Sequence, residues 1–121
     1  MKRSILASSF VMLGLSASTT GCSRAAVICD IICTCEHCND QEEVESCNEA
    51  AMAEDIADAY ECGAKWEAYT VCVEERGTCD ETEASFDIFN DEGENRCKDE
   101  ADALDECIAS ASAHRGSGDT F

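Results

Sequence analysis

Two stretches of equal length decide the fold: CGAKWEAYTVC at 62–72 and CKDEADALDEC at 97–107. Each sets two cysteines ten residues apart, and the second stretch repeats the first 35 residues later. A ten-residue step is just under three turns at about 3.6 residues per turn, so both cysteines of a stretch reach one side of a helix. Two such helices laid antiparallel join first to fourth and second to third, which predicts Cys62–Cys107 and Cys72–Cys97. Between those rungs Trp66 and Tyr69 meet Ala101 and Leu104, large against small.

This pattern resembles the twin CX9C, or coiled-coil-helix-coiled-coil-helix, arrangement over roughly residues 60–110. The resemblance implies an antiparallel helical hairpin. The chain departs from it in a long connection, Val73 to Arg96, that holds a further cysteine, Cys79.

The hairpin helices are expected at about 62–76 and 94–113, with a preceding helix at about 41–61. Asp40 with Glu43 makes a capping-box pattern, and Val44, Cys47, Ala51, Ile56 and Tyr60 follow at near-helical spacing. Gly63 either ends that helix or bends a single one running to Arg76. Arg76 and Gly77 form a stop, with a cation in the last turn and glycine at C′. Asp80 and Glu83 make another capping pair before Phe86 and Phe89, predicting a short helix at about 81–90. Proline is absent and alternation of period two is scarce, so no sheet is expected; only Val27–Thr34 (VICDIICT) has strand-like content. The expected class is all-α: a small disulfide-stapled helical bundle.

Composition explains the need for staples. Hydrophobic types make up 45% of 121 residues, but alanine and cysteine supply much of that, aromatics are 6% and Trp66 is the single tryptophan. Such a core buries little area, at about 25 cal/mol per Å², against the entropy of ordering the chain. Eleven cysteines are available to offset the shortfall. The net charge is −19, and −21 once Lys2 and Arg3 leave with an N-terminal leader. A field of that sign repels nucleic acid and anionic headgroups, and acidic helix faces keep an alanine-rich chain soluble.

The leader has three parts. Lys2 and Arg3 are a positive start, Ile5–Leu15 an apolar run too short to span a bilayer, and Ser16–Gly21 a small, polar stretch. Thr19-Thr20-Gly21-Cys22 then resembles a bacterial lipobox, with Thr19 where that family usually has Leu. The resemblance implies cleavage after Gly21, lipidation of Cys22 and a membrane partner reached through the lipid, and Ser23, in place of Asp, implies the outer membrane. The alternative is soluble secretion after cleavage at Ser18 or Gly21. Parity favours lipidation, since removing Cys22 from eleven cysteines leaves an even ten. The organisation expected is a signal peptide at 1–21, a lipidated tether at 22–28, a cysteine-rich helical domain at 29–115 and a tail at 116–121. The whole chain also resembles small cysteine-rich lipoproteins of myxobacteria, a group with no assigned activity.

Cys29, Cys33, Cys35, Cys38, Cys47 and Cys79 remain, with 15 possible connectivities. Cys79 is placed to tie the hairpin to the helix before it or to the N-terminal knot, and Cys47 to meet Cys35 or Cys38. Cys33, Cys35, His37 and Cys38 have the donor types for Zn or Cu(I), and Cys35-Glu36-His37-Cys38 is a CxxC before a helix. Export favours oxidation of all four local cysteines, Cys29, Cys33, Cys35 and Cys38, and no strands are at hand for a thioredoxin-like fold. His37 and His114 are the only histidines and neither belongs to a nucleophile motif, while Asp91-Glu92-Gly93-Glu94 lacks EF-hand spacing. The expectation is a non-enzymatic envelope protein without cofactor, structural or binding an unidentified envelope protein. The alternative is a metal- or thiol-handling protein using Cys33, Cys35, His37 and Cys38.

Overall fold

The computed structural model describes residues 23–116. They form four helices and one small hairpin: α1 (Arg24–Glu36), α2 (Asp40–Ala59), α3 (Gly63–Arg76), β1 (Thr78–Asp80), β2 (Ser85–Asp87) and α4 (Lys98–Gly116). The domain is mostly α and stapled by disulfides. Two helical hairpins, α1–α2 and α3–α4, meet through α1 and α2 against α3.

α1 starts where a tether was expected. The Ser23 hydroxyl accepts from the Ala26 N–H, capping a helix whose first turns occupy 24–28. The β-branched run VICDIICT is helical too. In a helix Ile28 and Ile32 fall on one side, where they join a core cluster with Cys72, Val73 and Cys97. Tertiary burial therefore outweighs local strand preference. His37 ends α1 in the left-handed region (φ 54°), and the Cys38 N–H returns to the Cys33 carbonyl.

α2 carries its capping box one residue earlier than Asp40/Glu43 predicts. Asn39 Oδ1 accepts from the Gln41 and Glu42 N–H groups, and Glu42 Oε2 accepts from the Asn39 N–H. Asn and Asp cap about equally well, so the short link from α1 sets the register. The helix ends before Gly63. The Cys62 N–H bonds to the Ala57 carbonyl and the Glu61 N–H to the Asp58 carbonyl, with Glu61 left-handed at φ 60°, the paired bonds of a Schellman stop. Gly63 opens α3; a Cβ there would lie 2.7 Å from Asp58 Oδ1.

Gly77 is not a left-handed C′ residue, for its φ is −64°. Its smallness serves packing, because a Cβ would meet Phe86 Cζ at 2.2 Å and the Val73 carbonyl at 2.5 Å. The helix expected at 81–90 is instead the turn and second strand of the hairpin, with Thr78 opposite Asp87 and Asp80 opposite Ser85. Asp80 Oδ1 does accept from the Thr82 and Glu83 N–H groups, as a helix cap would, but Ala84 turns left-handed (φ 49°) and closes a tight turn. Phe86 and Ile88 then alternate inward and Asp87 outward, burial that a strand allows and a helix does not.

α4 begins at Lys98, with Cys97 just before its first turn and the Cys97 N–H held by Asn95 Oδ1. Its start is locked to the end of α3 by two arginines, each donating to the other's carbonyl: Arg76 to Arg96 at 2.9 Å and Arg96 to Arg76 at 3.0 Å. At its far end Arg115 donates to the Ala59 carbonyl and lies over the Tyr60 ring. The core has two parts: one joins Ala25, Ala57, Cys62, Trp66 and Leu104, the other is the Ile28 cluster, and Tyr69 packs on both. Among the described residues no helix is long and apolar enough to cross a membrane.

Candidate functional site: the disulfide frame and an apolar groove

Five disulfides tie the elements together. Cys62–Cys107 and Cys72–Cys97 are the two rungs between α3 and α4, the same pairs that the ten-residue spacing implies. Cys29–Cys47 joins α1 to α2, Cys33–Cys38 closes over the end of α1, and Cys35–Cys79 joins α1 to β1. Cys47 therefore meets Cys29, not Cys35 or Cys38; helical pairing puts the middle of α1 beside it. Cys79 does reach the N-terminal knot. These bonds use ten of the eleven cysteines, and the eleventh, Cys22, lies outside the described residues.

The cluster Cys33, Cys35, His37 and Cys38 is split by this pairing. Its thiols belong to two different disulfides, so none is a thiolate, and His37 is an exposed cap residue. Among the described residues the one compact trio of potential metal donors is Cys72, Cys97 and Glu100, and its two sulfurs are bonded to each other. His114 is exposed on the last turn of α4.

A groove between α1, α3 and β2 is what the sequence reading missed. Ile28, Ile32, Trp66, Val73, Phe86 and Phe89 line most of a cavity of about 210 Å³ whose polar elements include Thr70 and Asp87. The indole N–H of Trp66 donates to Glu54 Oε2 at 3.0 Å. The same oxygen accepts from the Ala25 N–H at 2.6 Å, tying α2 to the start of α1. Thr70, buried, accepts from Arg24 Nε and donates to the Trp66 carbonyl, while Arg24 also pairs with Glu74 at 2.6 Å. Burial and the nearby Asp105 push the Tyr69 hydroxyl above its ordinary value. With Trp66's polar edge and the Thr70 hydroxyl both hydrogen-bonded within the domain, the groove offers mostly hydrocarbon and aromatic surface. It suits an apolar side chain. The signal available in sequence was Phe86-x-Ile88, a short period-two run.

No protein-family model, curated protein or solved structure matches the chain.

Proposed function

We propose that this is a non-enzymatic, lipid-anchored protein of the bacterial envelope, held through acylated Cys22 and acting as a rigid structural or protein-binding module. One observation carries the reading. The ten cysteines of the described domain pair among themselves, which leaves none as an intramolecular partner for Cys22. A cysteine consumed by lipidation needs no such partner, whereas an exported chain keeping Cys22 carries an odd thiol in an oxidising compartment. The leader before Cys22 favours export, and Ser23, in place of Asp, favours the outer membrane. Since Ser23 caps α1, an anchor at Cys22 stands one residue from a folded helix, and the domain rides directly on the membrane surface. Two or more acyl chains make such an anchor stable. The binding role draws support from the apolar groove and from the rigidity that five bridges impose.

The test is the intact mass of the purified protein before and after reduction and alkylation. The expected result is an acylated N-terminal cysteine, no alkylation before reduction, and ten alkylated cysteines after it. An unmodified Cys22 thiol in released protein overturns the anchor in favour of secretion. Alkylation of Cys33, Cys35 or Cys38 without reductant, or a bound metal, replaces this reading with metal or thiol handling at that cluster and His37.

A further inference from the structure

α2 buries small residues and exposes its large ones. The face packed into the core carries Ala50, Ala53 and Ala57, with Cys47 bridged to Cys29 on α1. The opposite side presents Val44, Met52 and Ile56, exposed to 58%, 64% and 47%. These are three of the four exposed large hydrophobics among the described residues, and they fall on one stripe with Asn48, every fourth position. Isolated exposed apolar side chains are ordinary; a row of them on one helix face marks an interaction surface. Alanine is used inward because the α1–α2 pair is drawn close by Cys29–Cys47. The bulky aliphatics are therefore not surplus core.

Charge selects the partner. The 20 residues of α2 include eight acids and no Lys or Arg. Glu45 and Glu49 border the stripe on one side and Asp55 on the other, all exposed. A second copy would set acid against acid, and an anionic bilayer is repelled in the same way. An apolar ridge bordered by lysine or arginine fits both the hydrocarbon and the sign, as in the packing of two amphipathic helix faces.

We infer that the outer face of α2, built on Val44, Met52 and Ile56, docks a cationic amphipathic helix of a partner protein. This deepens the protein-binding part of the proposed function and does not rest on the anchor, so the mass measurement and the experiment below fail independently.

The probe is a synthetic helical peptide with leucines at every third and fourth position and lysines between them, titrated onto the full oxidised chain in non-ionic detergent. Met52 is the single methionine of the described residues, so its labelled methyl group reports contact by NMR. The expected result is saturable binding that shifts the Met52 methyl and weakens with ionic strength. Met52→Glu with Ile56→Glu adds negative charge yet weakens binding at least about tenfold, a difference that long-range attraction alone cannot produce. Glu45→Gln with Glu49→Gln, which leaves the apolar stripe untouched, weakens binding less and flattens its salt dependence. Equal affinity for a peptide of the same composition with scrambled order, or no loss in the Met52/Ile56 variant, overturns the inference. So does a dimer, or binding to anionic vesicles, that this variant abolishes.

Discussion

Removing the outer rung of the α3–α4 hairpin, Cys62→Ala with Cys107→Ala, tests the claim that disulfides substitute for a large core. Taken alone, a bridge between residues 45 apart constrains the unfolded chain by about 4 kcal/mol. The inner rung survives, however, and its partners are 25 apart within the same loop. The loop that the outer rung closes then shrinks to two helical arms, Cys62–Cys72 and Cys97–Cys107. That is about 22 residues, and the chain-entropy contribution falls to about 3.5 kcal/mol. Cys62 is 1% exposed, so truncation also leaves a void that adds about 1 kcal/mol. The expected loss is about 4.5 kcal/mol in urea unfolding followed by Trp66 fluorescence, with a single cooperative transition retained. Trp66 suits the assay because it packs in one cluster with Leu104 of α4. Removing both rungs should cost about 8 kcal/mol, comparable with the whole stability of a small domain. α4 should then separate and expose the indole. A loss below about 1 kcal/mol for the outer rung, or unchanged Trp66 emission without either rung, would show that the core holds the hairpin without its staples.

Three other perturbations have defined outcomes. Gly77→Ala should cost about 2 kcal/mol, because its Cβ would overlap Phe86 and the Val73 carbonyl; hydrogen exchange should speed up in β1 and β2 while α2 stays protected. Glu54→Ala should cost about 2–3 kcal/mol by leaving the Ala25 N–H and the Trp66 indole N–H without their carboxylate, and Glu54→Gln, which keeps an acceptor, should recover at least half in thermal unfolding. Tyr69 ionises above the ordinary tyrosine value in the folded chain, owing to burial and then Asp105. Its contribution to stability is therefore complete below about pH 10 and is lost as pH rises through the folded value, since the unfolded chain gives up that proton first. Tyr69→Phe should flatten the alkaline fall in stability, and tyrosinate absorbance should show Tyr69 titrating after the unfolded chain's tyrosines; an unchanged alkaline slope would contradict this.

Sequence alone determined whatever depends on spacing along a single helix. The step from Cys62 to Cys72, matched by Cys97 to Cys107, is a property of helical pitch, so the two rungs and the hairpin they close follow without knowledge of any neighbour. The end of α3 at Arg76 was legible in the same way, although Gly77 is extended and its smallness serves Phe86, a contact no local signal carries. The tertiary structure decided what depends on elements distant in sequence. Val27–Thr34 is helical because Ile28 and Ile32 find Val73 and Cys72 across the domain, and the capping signal at Asp80 yields a turn because Cys79 is bound to Cys35 and Phe86 lies over Gly77. The groove and the bare stripe on α2 arise in the same way. Val44, Cys47, Ala51, Ile56 and Tyr60 read as one apolar face, yet the packed side of α2 takes Cys47 with Ala50, Ala53 and Ala57 and leaves Val44, Ala51 and Ile56 in solvent. Periodicity marks which side of a helix is apolar; only the distance to the next helix decides whether large or small side chains are buried there.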